Sequence, residues 1–402
     1  MIRHALAAKS EVMMAYPDSD IQTSAMASPP LWGSGLLLLL LIPILCGCSV
    51  WQQSLQTPDP GQEKPLLRRE FSHLAMGTRF RIVVVGEPGN DLQMTARRAF
   101  DRIDQIEAVA SDWNRDSEIR TLCRTAPHPQ PVVISDDLAR LLRHSLEIHK
   151  LSEGRFDISL GSLSRLWRRC FLAGRLPTEE NLQRAIGMTG MNYIELEKTG
   201  ARLTKAGISV DFGGIAKGYA VDQALEVMVQ GGYPHTLVDG GGDLAFGPPH
   251  GDSGGWRITL PSGRRIFMEP GAIATSGDTE KFVEVDGDRY SHILDPNTGL
   301  GLRNSAVVTV FADSAMLADA WATACSVPGP WPLAGEPGSG GLPRAVERIP
   351  IGGETQYWGE LPLLVDPQVQ TGTGGEDSVS VPLSEPEGSG IPKIMKTERI
   401  ST

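Results

Sequence analysis

The segment VDFGGIAKGYAVD, Val210 to Asp222, gathers an acid, paired glycines and a lysine within a few residues. A short apolar strand delivers Asp211, two glycines permit tight turning, and Lys217 arrives as a helix begins. Amides exposed by glycine, a helix N-terminus and an ammonium group together suit a phosphate. The spacing is not that of a P-loop, since G-x-x-x-x-G-K-[ST] is absent, and a plain strand-to-helix turn with a surface lysine has the same composition. TLVDGGGDLAFG, Thr236 to Gly247, sets Gly240-x-Gly242-x-x-Ala245 after a strand, but GPPHG follows where a dinucleotide fingerprint needs a helix. Its glycines and Asp243 therefore read as a close-packed turn, beside a ligand or without one.

Two further segments carry oxygen and imidazole groups. ADAWATAC, Ala318 to Cys325, holds Asp319 and Thr323 four residues apart, which puts both side chains on one helix face a turn apart. Carboxylate, hydroxyl and a nearby carbonyl are hard ligands that magnesium accepts, although such a helix face is also common without a metal. EKFVEV, then Asp286-Gly287, then DRYSHIL reads as a β-hairpin, since Asp-Gly suits a two-residue turn. That register puts Tyr290, His292 and Leu294 on one face of the second strand. ATSGD, Ala274 to Asp278, then falls near the hairpin's open end, beside His292 and Asp295. With an ordinary imidazole pKa of about 6.5, His292 would be a usable base near neutral pH; a hydrogen-bonded structural histidine is the alternative.

The elements that must position these groups follow from hydrophobic period. RFRIVVVG reads as a strand. Leu92, Ala96, Ala99, Ile103, Ile106 and Ala110 recur at helical spacing, so 91–110 is an amphipathic helix, and a second helix covers 136–152. A helix from Lys217 to Gln230, short strands between His235 and Phe311, and a helix over 314–325 follow. Order is expected from Phe71. After Val327 comes PGPWPLAGEPGSGGLP, and 366–402 has few large apolar groups, a composition that cannot offset its ordering entropy by burial. The reading is one domain, 71–365, followed by a disordered tail.

Upstream, Leu36 to Leu45 (LLLLLLIPIL) is too short for a spanning helix of about 20 residues but suits the core of an export signal. It abuts Leu45-Cys46-Gly47-Cys48-Ser49, which resembles the bacterial lipoprotein box with Cys48 as the lipidated residue. Residues 1–47 would then be a signal peptide and 48–70 a polar tether. The domain would sit lipid-anchored on the periplasmic or extracytoplasmic face of a bacterial cell membrane; an ordinary signal peptide with two incidental cysteines is the alternative. Cys123, Cys170 and Cys325 have no metal-ligand spacing. The net charge is −11, and loss of two basic and three acidic groups with 1–47 leaves −10. That balance argues against nucleic acid as a partner.

Taken in order, AMGT (Ala75–Thr78), SDWNRDSEI (Ser111–Ile119), GRFDISLGSLSRLW (Gly154–Trp167), VDFGGIAKGYAVD, DGGGD, ATSGD, SHILDPNTG and ADAWAT resemble the ApbE family of FAD:protein FMN transferases. The resemblance implies a mixed α/β fold, a single domain of mixed sheets and packed helices. It implies FAD as substrate, a divalent cation, usually Mg2+, and transfer of FMN onto a threonine or serine hydroxyl of a redox acceptor protein with release of AMP. By motif position, Met76, Trp113 (in place of the family's frequent tyrosine), Arg155, Phe156, Asp157, Asp211, Lys217 and Leu294 would contact the flavin nucleotide. Asp319, Thr323 and the carbonyls of Gly214 and Ala322 would hold the metal, and His292 would take the acceptor's proton. Hydrolysis of FAD to FMN and AMP, or FAD carriage by a non-catalytic lipoprotein, would use the same residues. The sequence departs from the family at Ser162 and Gly301, where proline is common. It departs again after Val327, where glycine and proline replace the expected helix and closing strands.

Overall fold

The computed structural model describes residues 67–362, apart from 88, 252–253, 278–281, 304–305 and 332, together with 381–382. Strands β1 (Leu67–Ala75) and β2 (Thr78–Gly86) turn through Met76 and Gly77, both at positive φ, as a two-residue hairpin requires. Helices α1 (Leu92–Ala110), α2 (Glu118–Thr125), α3 (Asp136–Leu151), α4 (Gly161–Ala173) and α5 (Glu179–Ile186) follow. A small hairpin, β3 (Ile194–Glu197) and β4 (Gly200–Leu203), precedes α6 (Ala216–Gln230). Next come β5 (Thr236–Asp239), β6 (Asp243–Phe246), β7 (Trp256–Thr259), β8 (Arg265–Met268) and β9 (Gly271–Ser276). The hairpin β10 (Phe282–Val285) and β11 (Asp288–Ser291) leads to β12 (Ala306–Ala312) and α7 (Ala315–Ser326). Strands β13 (Ala345–Pro350), β14 (Gln356–Gly359) and β15 (Val381–Pro382) come last.

Eight strands form one sheet in the order β1-β2-β5-β6-β9-β12-β13-β14, antiparallel at every step. A smaller sheet, β15-β7-β8, contains the parallel pair β15/β7. The architecture is mixed α/β. Strands β5, β6 and β12 are buried at almost every residue because both faces of the large sheet are covered. Alternate residues serve alternate faces. Phe80, Ile82, Val238, Val308 and Val310 meet helices α1, α6 and α7, whereas Val83, Leu237, Leu244, Ile273 and Phe311 meet Trp256, Ile258, Ile266 and Met268 of β7 and β8. A third cluster, including Leu163, Trp167, Leu182, Tyr290 and Leu294, seats the β10–β11 hairpin on α4 and α5.

The helices expected over 91–110, 136–152, 217–230 and 314–325 are α1, α3, α6 and α7, with ends agreeing to a residue. Strand β1 begins at Leu67, inside the segment read as tether, because it pairs along its whole length with β2. Closing strands do form after Val327: the glycine- and proline-rich stretch is only the connection into β13. Val381 and Pro382, within the expected tail, pair with Ile258 and Thr259. The Asp286-Gly287 hairpin forms, but β11 stops at Ser291, where the chain exchanges β10 for the segment around Leu302. Ser291 N–H donates to the Leu302 carbonyl at 2.8 Å and Leu302 N–H to that of Ile293 at 2.9 Å. Tyr290, His292 and Leu294 therefore do not share a strand face; Tyr290 and Leu294 are buried and His292 is exposed. Cys48, the 1–47 signal and most of both terminal segments lie outside the described residues. Among those described, no helix is long and apolar enough to cross a membrane.

Candidate active site

Close backbone approaches bring the motifs together. A Cβ on Gly218 would fall 2.1 Å from the Ala315 carbonyl oxygen, and one on Gly214 would fall 2.6 Å from Thr323 Oγ1. Only glycine lets α6 and its leading turn lie this near α7. Asp222 on α6 then accepts the first amides of α7, Ala315 at 2.7 Å and Met316 at 2.9 Å, groups that a helix cannot satisfy itself. The DGGGD turn packs on the same helix, its Gly240 backbone against Val221. Gly241, at φ 78°, lies against Thr78 of the AMGT turn. Asp239 closes the turn by accepting the Gly241 and Gly242 amides at 2.8 and 3.0 Å, while its other oxygen pairs with Arg81.

At the centre of these contacts, Lys217 Nζ lies 2.8 Å from Asp243 Oδ2 and 3.4 Å from Asp319 Oδ2. The Asp319 oxygen also accepts the Gly218 amide at 3.2 Å. The approach to Asp243 is an ion pair without hydrogen-bond alignment, so Asp243 Oδ2 remains a buried oxygen with no hydrogen bond. Burial pulls the Lys217 pKa down, but the Asp243 and Asp319 charges outweigh it and the net shift is upward. Burial, reinforced by Asp319 and opposed by Lys217, pushes Asp243 up to about 7. Asp319, Thr323 one turn on, and the Gly214 backbone held against Thr323 form a set of hard oxygens, which fits magnesium. Among the described residues no group of three or more His, Cys, Asp or Glu side chains is placed to hold a metal ion. The Ala322 carbonyl accepts the Ser326 hydroxyl at 2.8 Å.

A second group adjoins the first through the Asp211–Gly214 turn. Asp211 N–H donates to the Ile158 carbonyl at 2.8 Å, laying the GRFDIS segment alongside, and Asp211 Oδ1 accepts the Gly213 amide at 2.8 Å. Asp157 Oδ1 accepts the Ser159 amide and hydroxyl. Trp113 is 73 % exposed. Arg155 donates to the Pro330 carbonyl just beyond α7, and the Met76 amide donates to Glu107 at 2.9 Å. Phe156 and Leu294 are core residues whose side chains are buried. His292 rides on a loop that α4 holds: Trp167 Nε1 donates to the Gly299 carbonyl at 2.8 Å, and Asp295 caps the turn through the Asn297 amide. Ala274 stands opposite Asp243 in the β9/β6 ladder, so ATSGD leaves the sheet beside the lysine centre; its Asp278 lies outside the described residues.

Residues 76–332 match the model of the ApbE family. This chain belongs to the ApbE family. An FAD:protein FMN transferase of Vibrio cholerae serotype O1 is 32% identical over 283 residues, 67% of this chain and 84% of that one. A Treponema pallidum protein of the same name is 30% identical over 288 residues, 65% and 79% of the two chains. The crystal structure of the ApbE protein from Thermotoga maritima superposes with a TM-score of 0.62 at 28% identity, over 72% of this chain and 96% of that one. The match to the ApbE model ends before β13 and β14, which this chain nevertheless adds to the sheet.

Within this ApbE domain, sequence reasoning left three charged groups without a role. Asp243 was visible only as part of a glycine turn; an acid heading the short, fully buried apolar strand DLAF was the signal that could have found it. Asp222 stood at the end of the VDFGGIAKGYAVD block. Arg168 had no signal at all, because its partners come from other segments.

Proposed function

We propose that this ApbE-family protein is an FAD:protein FMN transferase that moves FMN from FAD onto a threonine or serine hydroxyl of an acceptor redox protein and releases AMP. The observation that supports it is the convergence of Lys217, two buried carboxylates and the Gly214–Thr323 contact at one point. In the reaction the acceptor oxygen bonds to the FMN phosphorus, the bond from that phosphorus to the bridging oxygen breaks, and the bridging oxygen leaves with AMP. The hydroxyl proton passes to His292. Phosphoryl transfer asks the protein for position and charge neutralisation more than for covalent chemistry. Lys217 supplies a cation that Asp243 and Asp319 keep protonated and aimed. Asp319, Thr323 and the Gly214 and Ala322 carbonyls would hold Mg2+, which when bound neutralises pyrophosphate charge. Met76, Trp113, Arg155, Phe156, Asp157, Asp211 and Leu294 would complete the flavin nucleotide site. A lipid on Cys48 would tether the domain to the periplasmic face of the membrane.

The test is incubation with FAD, Mg2+ and a flavin-acceptor protein, reading covalent flavin fluorescence on a denaturing gel and AMP in solution. Label with AMP is expected. AMP without label identifies a hydrolase, and bound FAD without AMP a carrier; either overturns the proposal. His292→Ala should retain FAD binding and slow transfer by about 100-fold or more, the range for a general base. Transfer at the full rate in that variant removes His292 as the base.

A further inference from the structure

Arg168 on α4, unused in the reaction above, makes three contacts at once. Its guanidinium carbon lies 4.2 Å from the centroid of the Trp113 ring. Nη1 pairs with Asp112 Oδ2 at 2.5 Å and Nη2 with Asp211 Oδ2 at 3.2 Å. Both carboxylates are largely buried, at 7% and 14% side-chain exposure, while Trp113 is 73% exposed. The planar cation thus stacks on an indole with its edges fixed by two acids, a combination that guanidinium geometry allows and a point charge does not. A tryptophan on the connection between α1 and α2 would otherwise divide among rotamers. Here its orientation is tied to Asp211, the residue that opens the turn into Lys217.

We propose that Arg168 is a positioning residue for the flavin nucleotide: it fixes the Trp113 indole as a platform, locked to the Asp211 turn, on which a planar ring of FAD stacks. This rests on the FAD transferase reading. A clamp that only stabilised the fold would act independently of the indole, whereas a residue that positions the indole loses most of its effect once Trp113 is removed.

The test is a double-mutant cycle in the full chain, with FAD affinity followed by flavin fluorescence and thermal unfolding recorded alongside. Arg168→Gln should raise the Kd for FAD by roughly two- to fivefold, the scale of removing a cation–π interaction at an exposed ring. Trp113→Ala should also weaken binding, and in the Trp113→Ala background Arg168→Gln should add only the smaller effect carried through Asp211. Arg168→Lys, which keeps a cation between the acids, should recover only part of the affinity, and it carries the same cycle if Arg168→Gln fails to fold. Additive effects of the two substitutions, or unchanged affinity in both Arg168 variants, overturn the proposal. A wild-type chain that binds no FAD in the same titration would overturn the transferase reading instead.

Discussion

Lys217 sits between two nearly buried acids, and its substitution separates stability from chemistry. Removing it leaves Asp243 and Asp319 facing each other without a cation, a change that costs about 3–5 kcal/mol for a fully buried pair. The lysine side chain is 30% exposed, so Lys217→Met should cost about 2–4 kcal/mol once solvent screening is allowed for, with loss of flavin transfer. Adding Asp243→Asn removes the repulsion, and the double variant should regain about 1 kcal/mol or more without regaining transfer. Urea unfolding and the gel assay on the same preparations check this; a double variant no more stable than Lys217→Met would show that the two acids do not repel. Lys217, Asp319 and Thr323 could be singled out from sequence because each sits in a short block whose geometry is local. Arg168 could not, since its partner Asp112 lies 56 residues away and only the packing of α4 brings them together.

The two helices that carry these groups depend on a single close crossing. At Gly218 an added methyl would press on the backbone of Ala315, which no rotamer change can relieve. Gly218→Ala should therefore destabilise the domain by about 1–3 kcal/mol and, by pushing α7 away from Gly214, reduce transfer beyond what the loss of folded protein explains. Unfolding midpoints and transfer rates per folded molecule decide this; a variant of wild-type stability would mean that the crossing is loose. Helices α1, α3, α6 and α7 were legible because their apolar residues keep a helical period over three turns or more. Helix α4 has the same signal in Leu163, Leu166, Trp167 and Cys170, but the motif reading of that block hid it. Helices α2 and α5 have eight residues each, too few for periodicity to stand out. The end of β11 was not legible because it is set by a change of partner from β10 to the Leu302 segment, a long-range choice that alternation cannot report.

At the scale of the whole molecule, Asp222 makes stability depend on pH. It joins α6 to the N-terminus of α7, and although the residue keeps some exposure, burial of its carboxyl pushes the pKa up to about 7. The two amides oppose that shift, and the Asp319 and Glu226 charges reinforce it. In the unfolded chain the same group titrates near 4, so between about pH 4 and pH 7 the folded state holds more protons. Stability from this group is thus complete in acid and lost as the pH rises through about 7, with a slope of up to about 1.4 kcal/mol per pH unit. Asp222→Asn removes the titration while keeping an oxygen that can accept one of the two amides. Measured by urea unfolding from pH 5 to 8 with a chelator present, the variant should lose less stability with rising pH than the wild type. Part of the slope should survive, because Asp243 titrates in the same range. The variant's deficit should accordingly be largest at pH 5 and shrink toward pH 8; parallel curves would mean that Asp222 is already ionised throughout and that the α7 amides, not burial, set its charge.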